Sequence, residues 1–171
     1  GPGFTRAAFE LEGPTISGEG DLRVGLRELL ASRGGNPDDV DAVLAAWHRF
    51  EVDPAAMEVI AGLRRAGYLV VLASNQQKYR GLVMRERGMD DHFDHTFYSF
   101  EVGAAKPSPA YFEHILDELG LDPKQAVFID DMAANVLAAR KVGLNAERHR
   151  WADGAPGLVR ALARHGVTPA E

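Results

Sequence analysis

Beyond residue 67 the chain repeats one unit, a short β-preferring apolar run followed by a helix-patterned stretch. No other feature constrains the fold as much. "YLVVLAS" (68–74) is a continuous apolar run that suits a strand buried on both faces, and "KYRGLVMRERG" follows it as a helix. "HTFYSF" (95–100) reads as a second strand, after which Pro107 and Pro109 lead into the helix "AYFEHILDELG". "AVFID" (126–130) is a third strand with "MAANVLAARKVG" as its helix. "LNAERH" then reads as a fourth strand and "APGLVRALARHG" as a last helix. Such alternation predicts right-handed crossovers and an α/β fold with a parallel sheet covered on both faces.

Residues 4–66 contain no such runs and read as helices. "FTRAAFELEG" is a short patterned piece closed by Gly13–Pro14. Asp21 can cap "LRVGLRELLASRGG", whose Leu22, Leu26, Leu29 and Leu30 share one face. Asn36 caps and Pro37 opens "DDVDAVLAAWHRF", and Asp53–Pro54 starts "AAMEVIAGLRRAG". The aromatics Trp47, His48 and Phe50 fall at helical spacing and read first as core, although they could also select a substrate. His92 and His95 flank Phe93 in a strand lead-in, where a metal site is not expected.

A chain of 171 residues is long enough for one domain with a sizeable core. A formal net charge of −6 and the lack of any long basic cluster argue against nucleic acid or an anionic membrane as partner. The absence of Cys excludes disulfides, thiolate metal sites and a Cys nucleophile. The longest apolar run, near 68–73, is too short to span a bilayer, and no signal segment opens the chain. A cytoplasmic location is the resulting expectation. The opening "GPG" looks like a protease-cleavage remnant, so Gly1 and Pro2 are set aside.

In parallel sheets ligands bind at the carboxyl ends of the strands, and polar residues stand at those ends here. Ser74–Asn75 end the first strand, Lys106 lies in the loop "EVGAAKPSP" after the second, and Asp130–Asp131 end the third. A Ser hydroxyl with free backbone N–H groups makes a phosphate or carboxylate cradle, to which Lys106 adds a fixed positive charge. Two carboxylates about 5 Å apart repel by roughly 3 kcal/mol at an effective dielectric near 20. A hard divalent cation such as Mg²⁺ removes that cost, so Asp130 and Asp131 look like half of a metal site. Each piece also has a plainer reading: Ser74–Asn75 as a helix cap, Lys106 as a solvated loop residue, Asp131 as the cap of the next helix.

Three stretches, "VVLASN" (70–75), "FYSFEVGAAKPSPAYFEHIL" (97–116) and "AVFIDDMAANVLAARKVG" (126–143), resemble motifs two, three and four of the haloacid dehalogenase-like hydrolase superfamily. The "FIDD…N…AA…G" form is similar to its phosphatase-like subgroup. The resemblance covers about residues 45–167. It implies a Rossmann-like sheet, with residues 4–50 as part of a helical cap and 51–171 as a core lacking its first strand. It further implies that Ser74 and Asn75 bind the transferred phosphoryl group, that Lys106 neutralises nucleophile and phosphate, and that Asp130 holds Mg²⁺ supported by Asp131. The implied activity is Mg²⁺-dependent hydrolysis of a small phosphorylated metabolite through an aspartyl-phosphate, with Lys106 and Asp130 catalytic; a homo-oligomer is a further expectation.

The family's first motif, an apolar strand ending in Asp-x-Asp, is not found. "DVDAV" (39–43) has the letters, but it follows a turn and a cap, so Asp39 and Asp41 read as first-turn helix acids. The chain therefore reads as beginning inside the cap and as inactive by itself, with a groove at the sheet centre that needs a rearranged strand order, a segment of residues 1–20 or a partner to fill it. A competing reading is a non-catalytic domain of the same fold that binds a small anion or a protein. Dehalogenase chemistry is disfavoured, because it needs no metal and would leave the adjacent carboxylates without a purpose.

Overall fold

The computed structural model describes residues 2–170, so Gly1 of the opening "GPG" and Glu171 lie outside the described residues. Helices α1 (Pro2–Thr15) and α2 (Leu22–Ser32) come first, then a short 3-10 turn at Pro37–Asp39, α3 (Val40–Leu44) and α4 (Pro54–Arg65). The alternating part follows as β1 (Val71–Ser74), α5 (Lys78–Glu86), β2 (His95–Tyr98), α6 (Ser99–Val102) and α7 (Pro109–Leu119). It closes with β3 (Val127–Asp130), α8 (Ala133–Val142), β4 (Asn145–Arg148) and α9 (Gly154–Ala163). The described strands form two two-stranded sheets, β1 with β2 and β3 with β4. Strands β3 and β4 are parallel, with Val127 opposite Asn145 and Asp130 opposite Arg148. No described helix is long and apolar enough to cross a membrane.

Two compact units divide the chain. The first holds the residues up to Glu51 with 73–89 and 97–105; the second holds 52–72, 90–96 and the residues from Lys106 onward. These units are not the two consecutive stretches 4–50 and 51–171, a division that concerns cap against core.

In the first unit Asp21 caps α2, its carboxylate accepting the N–H groups of Arg23 and Val24. The apolar face of α2 then meets α1 and α3. Ala8, Leu22, Leu26, Val40, Leu44 and Trp47 make the core, with Leu29 and Leu30 partly buried beside them. Asp39 and Asp41 sit in helical turns, exposed, and Asp41 pairs with Arg23 at 2.7 Å. They are helix acids, as the preceding turn suggests.

In the second unit Asp53 caps α4, which packs on α9. Gly62 admits a close crossing: a Cβ there would stand 2.6 Å from the Ala170 carbonyl oxygen, whose own N–H donates to Gly62 O at 2.9 Å. Helix α8 lies against β3, β4 and α7, and the Phe112 and Phe128 rings meet edge to face at 5.1 Å.

Several expectations need correction. The first strand begins at Val71, not at Tyr68: the Tyr68 N–H closes the end of α4 on Leu63 O, and Val70 exchanges bonds with Asp94, its N–H going to the carboxylate. All four β1 residues are only half-buried, because a two-stranded sheet leaves one edge of each strand unpaired. The second strand stops at Tyr98, since the buried Ser99 hydroxyl bonds both Gln76 N–H and Gln76 O and the chain turns into α6. The helix expected over 38–50 shortens to α3 and then tightens through i→i+3 bonds, Trp47 N–H to Leu44 O among them, which carry Trp47 into the core. Helix α1 runs through Gly13–Pro14 to Thr15. Residues 2–15 are thus helical and packed on α2; they supply no strand.

Candidate active site

Lys106 and Asp130, 24 residues apart in sequence, meet inside the second unit. Lys106 Nζ lies 2.7 Å from Asp130 Oδ2, and the two side chains are only 9% and 6% exposed. The second carboxylate oxygen, Oδ1, accepts the Met132 N–H at 2.8 Å and the Asn135 side-chain amide at 3.0 Å. The ammonium also lies 5.5 Å from the centre of the Phe128 ring. These contacts follow from local structure. Strand β3 ends at Asp130, the chain turns once, and α8 starts at Ala133, so that residue 135 comes back over the strand end. The Asp130 carbonyl accepts the His149 N–H beyond β4, which ties the carboxyl ends of both strands together.

Asp131 takes a different place. Its side chain is exposed, while its carbonyl accepts the Arg148 Nε–H at 2.8 Å. Asp131 lies one residue beyond the end of β3, and the Lys106 charge relieves the repulsion foreseen for the acid pair. Among the described residues no group of three or more His, Asp or Glu gathers as a metal cluster.

Ser74 and Asn75 belong to the first unit. Ser74 Oγ accepts from the Gln76 side-chain amide at 3.0 Å, which leaves its own O–H free to donate, and Asn75 is half-buried in the same loop. Close by in sequence, a 360 Å³ cavity is lined by Asp21, Gln77, Lys78, Tyr79 and Phe100 among others. Gln77 is buried, and its side-chain amide N–H finds no acceptor. The carboxylate of Asp21 accepts the Tyr79 hydroxyl at 2.7 Å. Burial pushes the Asp21 carboxyl up, but the Tyr79 hydroxyl, the Arg23 and Val24 N–H groups and the Lys78 charge outweigh it and hold it below its ordinary value. The Tyr79 hydroxyl is pushed up to about 12, by burial and then by its bond to Asp21.

The plainer readings of these residues fail one by one. Gln77, not Ser74 or Asn75, caps α5, its side-chain oxygen accepting the Tyr79 N–H at 2.6 Å. The N-cap residue of α8 is Met132, with no side-chain cap bond, so Asp131 is not the helix cap; the Met132 N–H itself goes to Asp130. Lys106 is buried in an ion pair rather than solvated. Asn135 was visible in the sequence only as the "N" five residues after Asp130. Its role as a donor to that carboxylate needed the turn between β3 and α8. Trp47 is core, as its helical spacing suggests.

A family model described as hydrolase, haloacid dehalogenase-like hydrolase, matches residues 8–143. The D-ribitol-5-phosphate phosphatase of Bacteroides thetaiotaomicron is 25% identical over 126 residues, 68% of this chain and 61% of that protein. An (S)-2-haloacid dehalogenase 4A of Burkholderia cepacia is 25% identical over 128 residues, 74% of this chain and 55% of that one. The chain thus spans little more than half the length of these curated relatives. A solved structure of a haloacid dehalogenase family enzyme from Bacteroides thetaiotaomicron, in complex with magnesium and inorganic phosphate, superposes with a TM-score of 0.68 at 25% identity. That match covers 87% of this chain and 84% of that one.

Proposed function

The chain belongs to the haloacid dehalogenase-like hydrolases and has their Rossmann-like α/β fold, and from this premise we propose that its site serves Mg²⁺-dependent hydrolysis of a small phosphate monoester. One observation carries the reading: the buried Lys106–Asp130 pair at the carboxyl end of β3, its carboxylate held by Met132 N–H and Asn135. A buried ion pair is rarely more stabilising than apolar packing of the same volume, so its place at a strand end points to use rather than to stability.

In this reading Lys106 presents a fixed charge to an anionic phosphoryl group and balances the carboxylate beside it. Ser74 keeps an O–H that can donate, the chemistry phosphate binding asks for, with Asn75 in the same loop. Asn135 and the Met132 N–H fix the orientation of Asp130. The donor set suits Mg²⁺: Asp130 and Asp131 offer hard carboxylate oxygens, and the Asp130 oxygens keep lone pairs beyond the bonds they accept. Asp130 and Asp131 would hold the ion, which when bound supplies Lewis-acid polarisation of the phosphoryl group. The aspartyl-phosphate step asks for an Asp aimed in line at phosphorus, and Asp130 is committed to Lys106. Neither Asp39 nor Asp41 stands on a strand. The 171 residues by themselves are therefore proposed to be inactive. Residues 4–50 act as part of a helical cap, and 51–171 act as the core without its nucleophile strand. The D-ribitol-5-phosphate phosphatase among the relatives supports phosphate-ester chemistry, and the adjacent carboxylates of Asp130 and Asp131, for which dehalogenation has no use, favour it over dehalogenation.

The test compares two chains: residues 1–171, and the same chain preceded by an apolar strand ending in Asp-x-Asp. With Mg²⁺ and a generic aryl phosphate, only the longer chain should release phosphate, and Asp130→Asn in it should abolish release. Turnover by the shorter chain, or chloride release from a 2-chloroacid by the longer one without phosphatase activity, would overturn the reading.

A further inference from the structure

A second cavity, of 320 Å³, lies wholly within the first unit; its walls are mostly apolar, Ala42, Val43 and Ala46 among them, with the Thr5 hydroxyl and one cation as the polar groups. Phe4, Ala8, Phe9 and Trp47 line it together with Arg80. Arg80 is half-buried, and among the described residues its guanidinium makes no ion pair or hydrogen bond; its Nε–H is sealed from solvent without an acceptor. The other half-buried arginine of the described residues, Arg23, is paired with Asp41 at 2.7 Å. Trp47 is 8% exposed, and its indole Nε1–H also lacks an acceptor. Phe9, whose ring lies tilted against Trp47 at 5.6 Å between centroids, is 57% exposed.

Arg80 and Trp47 both line this mostly apolar cavity, and the unpaired charge of Arg80 defines a ligand by what the wall lacks. An unpaired, partly buried guanidinium calls for an oxyanion, and planar bidentate recognition is what Arg supplies best. The surrounding aromatic and aliphatic surface calls for an apolar body, and the volume sits at the small end of ligand cavities. We propose that this cavity binds a small amphipathic anion, a single carboxylate or phosphate head on an apolar chain, with its head on Arg80 and its body against Phe4, Phe9 and Trp47. The site shares no residue with Lys106 or Asp130, so the proposal stands or falls independently of the hydrolase reading.

Trp47 reports on it directly. The chain has two tryptophans, and the other, Trp151, is 72% exposed, so Trp151→Phe leaves Trp47 as the sole indole. Titrating the full chain in that background with octanoate should give a saturable change in Trp47 emission. Octyl phosphate should do the same if the head requirement is simply anionic, and no response to it would restrict the head to carboxylate. Acetate and octan-1-ol should give neither change at matched concentration. Arg80→Met should weaken octanoate about tenfold or more, the loss of one charge-assisted contact, with circular dichroism unchanged. Ala46→Phe, which fills the cavity while keeping Arg80, should also block the response. An equal response to octan-1-ol, an Arg80→Met variant that binds as well as its parent, or no saturable response at all would each overturn the proposal.

Discussion

The two units differ in where they place an ion pair. In the first, Leu26 is fully buried at the centre of an aliphatic core, and the ion pairs Arg23–Asp41, Arg27–Asp38 and Arg85–Glu101 lie toward the surface, where such pairs contribute about 0–1 kcal/mol. In the second, an ion pair is itself buried, surrounded by the Phe128 ring and the donors of Met132 and Asn135. One unit keeps its ion pairs where water screens them; the other also sinks one pair where desolvation is costly. The contrast separates packing that holds a fold from a polar group kept for chemistry.

The sharpest way to break that contrast is to remove one half of the buried pair. Lys106→Met leaves the Asp130 carboxylate buried without its counter-charge and should cost about 3–5 kcal/mol in urea unfolding. Adding Asp130→Asn should recover most of the loss. A single variant within 1 kcal/mol of the parent would mean that the pair behaves like its surface counterparts.

Leu26→Ala probes the other unit. Emptying a fully buried leucine site should cost about 2–5 kcal/mol by the same measurement, with no recovery from any change of charge. Restoration by a polar partner would blur the distinction between the units.

The smallest effect belongs to Asp21, where a surface charge closes a helix. Asp21→Asn keeps a capping side chain but loses the charge that the Tyr79 hydroxyl and the Arg23 and Val24 N–H groups stabilise, and should cost about 1 kcal/mol or less near neutrality. Because the Asp21 carboxyl is held below its ordinary value, its contribution is present above about pH 4 and is lost as pH falls through the lower folded value. The Tyr79 hydroxyl is raised, to about 12, so its contribution is complete below about pH 10 and fades as pH climbs toward 12. The difference between parent and variant should therefore be flat across the neutral range and shrink at both ends. A difference that grows on acidification would reverse the sign and reject the cap bond as its source.

The strand and helix order was legible because each run carries its own period and its own stops. Asp21, Asn36 and Asp53 cap where a polar residue precedes an apolar helix, and Pro37, Pro54 and Pro109 open helices at their first turns. Element ends were less legible. Where β1 starts depends on Asp94 capturing the Val70 N–H, and where β2 stops depends on Ser99 reaching Gln76; both partners lie more than twenty residues away. Of the site, the residue types and their order along the chain could be read, including Lys106 and the Asp130–Asp131 pair.

By itself, then, the sequence determined which residues are chemically able to act, since an alternation of strands and helices places polar residues at strand ends whatever the details of packing. Only the tertiary structure decided which of them meet. It chose Asp130 over Asp131 as the partner of Lys106, enlisted Asn135 as a donor, and left Arg80 in the wall of a mostly apolar cavity with no counter-ion among the described residues. The physical reason is range. Periodicity, caps and turn residues act over three or four positions, whereas the pairing of a buried charge is settled by whichever group the folded chain brings within about 3 Å.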